Sequence, residues 1–123
     1  MDTILNLTQH NATAGQMEAG VVEPADKKVI QSLLTVSELP DIAEIKRRTD
    51  ALAAIAASTG ITSAMIGGAP WLMSALERAL VAAGVVPVYS FSVRKSIETC
   101  NADGTVSKTS IFEHGGWVHA NVS

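Results

Sequence analysis

The sequence predicts an α/β fold: a mainly parallel sheet packed with helices and extended at its C-terminal end by an antiparallel hairpin. Three observations carry this prediction. Apolar runs of strand length alternate with helical periodicity in the order strand, helix, strand, helix, strand. Apolar residues make up 47% of the chain and aromatics 4%, a composition that suits helices on a sheet better than a sandwich built on aromatic pairs. Beyond residue 90 the apolar period becomes two on both sides of Asn101-Ala102-Asp103-Gly104, the pattern of a hairpin turn between strands.

In chain order, Ile4-Leu5-Asn6-Leu7 reads as the first strand, and Ala12 to Pro24 as a connection holding a short helix through Gln16 to Ala19. Val29, Ile30, Leu33 and Leu34 follow helical spacing. Pro40 stops that element and Asp41 caps the next, with Glu44 three residues on as the other half of a capping box. Ile42, Ile45, Leu52, Ile55 and Ala56 form the apolar stripe of this helix, Lys46, Arg47 and Asp50 its outer face, and Gly60 its end. Ile61 to Ile66 is the second strand. Gly67-Gly68-Ala69-Pro70 then turns the chain into a helix with Leu72, Met73, Leu76, Ala79 and Leu80 inward, closed by Gly84. Val85 to Ser90 is the third strand, and Thr105 to Phe112 returns after the hairpin turn. Right-handed crossovers make the first three strands parallel and leave the added strand antiparallel at an edge.

The chain of 123 residues reads as a single domain, 1–123, which buries about two-thirds of its unfolded surface and leaves room for a partner subunit. A formal charge of -3 argues against coating long nucleic acid, because that affinity needs clustered Lys and Arg. Cys100 is the one cysteine, so no internal disulfide forms and a reducing compartment is the simplest reading. No basic start followed by an apolar stretch marks a leader and no apolar run reaches membrane length, so the expectation is a cytoplasmic protein without a membrane partner.

If the three strands are parallel, three polar clusters meet at one edge of the sheet, where open α/β sheets bind ligands. Thr8, Gln9, His10 and Asn11 follow the first strand, and His10 is the candidate for proton transfer or for orienting a ribose. Gly67, Gly68 and Ala69 follow the second, offering backbone N–H groups and a positive helix end to a phosphate. Ser90, Ser92 and Arg94 share a face of the third if it stays extended, with Arg94 a planar fork for phosphate and Lys95 a second cation pointing the other way. Each cluster also has a plain structural reading: a capped loop, a tight turn, a solvated edge strand. No G-x-G-x-x-G, P-loop lysine or G-x-S-x-G elbow is present, and the serines lack a recognisable orienting partner. His114 and His119 have no carboxylate or cysteine at zinc spacing, so no metal and no cofactor is expected. Trp71 and Trp117 suit either adenine stacking or the core and a dimer interface.

The stretch Gly84 to Glu98, then Asp103-Gly104-Thr105-Val106, then Ile111-Phe112-Glu113-His114 resembles small CRISPR-associated proteins of the CARF-like, Rossmann-type group, some of which are ring nucleases. Asn6 to Thr13 followed by Gln16 fits the same group as a first strand and its ligand loop. The chain departs from the group at Ile66-Gly67-Gly68-Ala69-Pro70-Trp71, where the relatives carry an acidic-Gly-aromatic pattern. The resemblance implies a Rossmann-like three-layer sandwich and a homodimer that binds cyclic oligoadenylate, with a cyclic tetra-adenylate ring foremost. It also implies cleavage of that ring by attack of a ribose 2′-hydroxyl on its own phosphodiester, switching off type III CRISPR signalling. In this scheme Arg94, His10 and Lys95 are the catalytic candidates, and Thr8, Gln9, Asn11, Gly67, Gly68, Ala69, Ser90 and Ser92 the binding ones. Two other readings stay open: a sponge or sensor that binds the ring without cutting it, and a protein-interaction module with a vestigial site.

Overall fold

A computed structural model describes residues 2–120. Its sheet has five strands in the order β2-β1-β3-β4-β5. Strand β1 (Ile4–Asn6) pairs in parallel with β2 (Val21–Val22) and β3 (Ser63–Met65), in the registers Ile4 with Val21 and Leu5 with Ala64. Strand β3 pairs in parallel with the start of β4 (Val86–Cys100), and β4 pairs antiparallel with β5 (Val106–Val118). The three strands read from the sequence are present in the anticipated order and direction. Strand β2 is an addition: two residues inside the stretch expected as a connection are too few to show a period, and they follow Gly20, which stands at φ 106° and accepts from Ile4 N at 2.9 Å.

Pro87 sits in this sheet without disrupting it. The Val86 N–H donates to Thr62 O at 2.7 Å and Val88 O accepts from Ile66 N at 2.9 Å, so the Pro87 nitrogen faces away from β3, toward the β5 side. There β5 has already ended, since its last pair is Val118 with Tyr89. A proline is tolerated in a strand where no ladder partner needs its N–H.

Helices α2 (Lys27–Leu34), α3 (Ile42–Ser58) and α4 (Pro70–Ala82) supply the helical part of the main core, which they form with Leu5, Leu7, Ala64, Ile66 and Val85. Leu72, Leu76 and Leu80 recur every four residues on α4 and are fully buried, each contributing about 2 kcal/mol by leaving water. The opposite sheet face carries a smaller cluster of Ile4, Val21, Met65 and Val88, against which Ala12 and Trp117 pack. Helix α1 (Ala14–Glu18) contacts β2 and β5.

Several local expectations change. Ile42 and Val29, read as inward, are 84% and 50% exposed; Ile42 is the first residue of α3, so its side chain projects beyond the start of the packed helix surface. Asp41 does cap α3, accepting from Glu44 N at 2.8 Å. The Glu44 carboxylate is instead held by Arg47 and Arg48, at 2.7 and 2.8 Å, and the Arg47 hydrogen bond, with Arg48 behind it, lowers its pKa to about 2. A complete capping box occurs elsewhere, between Thr13 and Gln16 at the start of α1. Arg48 also donates to the carbonyls of Ser32, Leu33 and Thr35, so one side chain of α3 closes the C-terminal end of α2.

The hairpin is longer than expected, because β4 and β5 run on past the sheet as a two-stranded arm on which every residue from Phe91 to Ser110 is exposed. Its turn is the anticipated one, with Gly104 at φ 86° and Asp103 Oδ1 accepting from Thr105 N and Oγ1. The ladder slips once. Phe91 pairs with Gly116 and Ser92 with His114, leaving Gly115 as a bulge. A Cβ at Gly115 would collide with Val93, so a glycine suits this position.

Candidate functional site

Parallel order from β2 to β4 puts the C-terminal ends of β1 and β3 at one edge, beside Tyr89 and Ser90 where β4 leaves the parallel part of the sheet, and a cleft of about 430 Å³ lies there. Thr8, Gln9, His10, Asn11, Gly67, Gly68 and Ser90 line it as the sequence grouped them, joined by Thr13, Gln16, Met65, Ile66 and Tyr89. A second cleft of about 570 Å³ shares the Thr13 and Gln16 wall and continues between α1 and the base of the arm, where Glu18, Ser92, Phe112, Glu113 and His114 face it.

The loop after β1 is tied down from below. Asn6 is fully buried: its Nδ2 donates to His10 O at 2.8 Å and to Glu23 Oε1 at 2.9 Å, while its Oδ1 accepts from Thr8 N and Thr8 Oγ1 at 3.1 and 2.7 Å. Lys27 Nζ donates to the carbonyls of Thr8 and His10 at 3.1 and 2.7 Å and pairs with Glu23 Oε2 at 3.3 Å. Burial pushes the Glu23 carboxyl up, but the Ala12 N–H, the Asn6 amide and the Lys27 ammonium outweigh it and hold the pKa below the ordinary 4.5. The loop carbonyls are thus turned inward. Gln9 reaches sideways, its Nε2 donating to Thr35 Oγ1 at 3.0 Å, and the exposed His10 and Asn11 stand at the rim.

On the opposite wall, Gly68 at φ 151° leads into α4, whose first turn has Pro70 and no side-chain cap. Its N-terminal backbone and dipole therefore favour an anion nearby. Ala69, expected among the binding groups, packs against the main core and lines neither cleft. Tyr89 donates to Glu77 Oε2 at 2.7 Å, and burial together with that carboxylate pushes its hydroxyl pKa well up, so it stays a neutral wall.

Ser90, Ser92 and Arg94 do lie on one face of β4, opposite Trp117, His114 and Phe112 on β5. The face extends along the arm, which separates the three: Ser90 is in the smaller cleft, Ser92 in the larger, and Arg94 lies about 13 Å from Ser90 at ordinary strand rise. The Arg94 guanidinium lies 5.9 Å from the Phe112 ring centroid, and Lys95 on the other face pairs with Glu113 at 3.8 Å. Among the described residues, no lysine or arginine side chain lines the smaller cleft. Trp117 packs as core on the smaller cluster, whereas Trp71 is 47% exposed.

The serine reading needs correction. Ser90 has a partner after all, with its Oγ 2.8 Å from His114 Nδ1, and the His114 ring sits 4.4 Å from that of Trp117 at 54°. In an unbroken ladder Ser92 would oppose Gly115 and His114 would face the other side; the bulge at Gly115 brings His114 round to the cleft face. No alternation rule reveals that slip. Asn6, Glu23 and Lys27 were also missed, although a polar residue between Leu5 and Leu7 and an i,i+4 Glu–Lys pair were visible signals.

Comparison with known proteins yields one match. No curated protein and no solved structure matches the chain. A family model described as the uncharacterized protein MJ1673 family covers residues 2–118, nearly the whole chain with both clefts and the arm, and the chain belongs to that family.

Proposed function

We propose that the paired clefts bind cyclic oligoadenylate, with the tetra-adenylate ring as preferred ligand, and that the protein opens the ring by 2′-hydroxyl attack. The observation that carries this reading is the 430 Å³ cleft at the carboxyl edge of the parallel strands, where hydroxyl and amide side chains share one space with the backbone of the Gly67-Gly68 turn. Such a lining offers hydrogen bonds to ribose and base on one wall and N–H groups to a phosphate on the other. A nucleophile already in the substrate needs alignment and charge stabilisation more than activation of water. The resemblance to CARF-like ring nucleases supplies the ligand's identity, the Rossmann-like three-layer reading of the fold and a role in ending type III CRISPR signalling within the cytoplasm. A symmetric ring also suits a two-fold homodimer, for which exposed Phe91, Val93 and Ile97 offer apolar surface.

One observation favours the sponge reading. Arg94 and Lys95 stand on the arm, outside the smaller cleft, so the cationic groups expected to meet transition-state charge are absent from its walls. Incubation with cyclic tetra-adenylate and cyclic hexa-adenylate in EDTA, with chromatography of products and calorimetry of binding, separates the cases. Linear adenylates establish the ring nuclease. Tight binding without products establishes the sponge, and absence of binding removes the nucleotide reading in favour of an interaction module.

A further inference from the structure

We infer that His114 is the catalytic base of this site, fixed by Ser90 as a positioning residue, in place of His10; the inference rests on the nucleotide-cleaving reading above. His10 is an exposed residue of the loop, held there through its backbone carbonyl by Asn6 and Lys27. His114 is part-buried, and two contacts define its ring: Ser90 Oγ at Nδ1 and the tilted face of Trp117. The contact at Nδ1 sets the ring's orientation, and because a serine hydroxyl both donates and accepts, the far nitrogen takes up a proton in the tautomer that carries its hydrogen on Nδ1. With the Nδ1–H donating to Ser90 Oγ, that far nitrogen is Nε2.

The position suits the task. Ser90 lines the smaller cleft and His114 the larger, so the pair spans the saddle between them. A nucleotide seated in one cleft and its neighbour in the other would place the connecting phosphodiester across that saddle. The bulge that turns His114 to this face depends on Gly115, where a Cβ would strike Val93, and bulges commonly re-aim side chains at working sites.

Nε2 of His114 takes the proton of a ribose 2′-hydroxyl as O2′ attacks the adjacent phosphorus; the O2′–P bond forms and the P–O5′ bond breaks, its electron pair going to the 5′-oxygen. Water protonates that oxygen, and the imidazolium returns its proton to the resulting hydroxide. The products are a 2′,3′-cyclic phosphate and a 5′-hydroxyl.

The test uses the full chain and cyclic tetra-adenylate in EDTA, comparing wild type with His114→Ala, His114→Asn, Ser90→Ala and Ser90→Thr. Expected is a fall in kcat of roughly 10²–10⁴-fold for both His114 variants, with the dissociation constant changed less than threefold. Added imidazole should restore part of the rate to His114→Ala, which opens space beside Trp117. Ser90→Ala should lower kcat with little change in KM, and Ser90→Thr, which keeps the hydroxyl, should recover it. His114→Asn keeps a polar side chain beside Trp117 in case the alanine variant fails to fold. Cleavage by either folded His114 variant within threefold of wild type overturns the assignment and leaves the nuclease reading intact. Wild type that binds without cleaving also overturns it, in favour of the sponge; wild type that does not bind overturns both.

Discussion

A carboxamide has two donors and two acceptor lone pairs, and at Asn6 all are engaged, by His10, Glu23 and Thr8. The shape of the cleft rim is therefore set by a residue that is fully buried beneath it. Thr8 spends its hydroxyl on Asn6 and the loop backbone, which makes it as much a brace as a ligand contact. Glu23 couples this network to pH. Its folded pKa is depressed below 4.5, so the charged carboxylate stabilises the fold above that value, and the contribution is lost as pH falls through the lower folded pKa. Glu23→Gln should therefore be less stable than wild type near neutrality and show a shallower loss of stability on the acid side of pH 4.5. Urea denaturation across that range checks this; parallel acid limbs in the two proteins would contradict it.

Among the elements, the β4–β5 pair matters most for the site, and its decisive residue is a glycine outside any turn. Gly115→Ala should cost about 1–3 kcal/mol by overpacking against Val93 and should withdraw His114 from Ser90. In a Trp71→Phe background, the emission of Trp117, which touches the His114 ring, should shift, and adding Val93→Ala should reverse both effects. Wild-type emission and stability in Gly115→Ala alone would mean that the bulge tolerates a side chain. This element also marks the limit of what the sequence shows. The periodicity of Leu72, Leu76 and Leu80, the cap at Asp41 and the Asp103-Gly104 turn were legible, because each is a local preference of a few residues. The loop Thr8 to Asn11 and the turn Gly67-Gly68 were legible as neighbours lining one cleft because parallel strands leave a single choice of edge. The Ser90–His114 contact was not, since it joins positions 24 apart across a register slip that inverts the parity of one strand. Strand β2 escaped for a related reason: pairing with β1, rather than its own two residues, makes it a strand.

The whole molecule divides into a packed body and a projecting ribbon. The body holds both hydrophobic clusters, whereas the ribbon beyond Phe91 has its own ladder and little else. Two-stranded hairpins without a covering layer are marginal in water, so hydrogen exchange should be fast through Ser92 to Phe112 and slow in β1, β3 and α4 for the dilute protein. Protection of the ribbon that grows with protein concentration would locate a homodimer contact there; uniform protection at all concentrations would contradict this division. The same geometry gives the experimenter a convenience. The one cysteine in the chain, Cys100, is the last residue of β4 and is exposed, about 33 Å from Ser90 along the strand. A single fluorophore or spin label attached at its thiol would ride at the far end of the ribbon, and, with Trp71 replaced by Phe, energy transfer from Trp117 would report the ribbon's bending while leaving the cleft residues untouched.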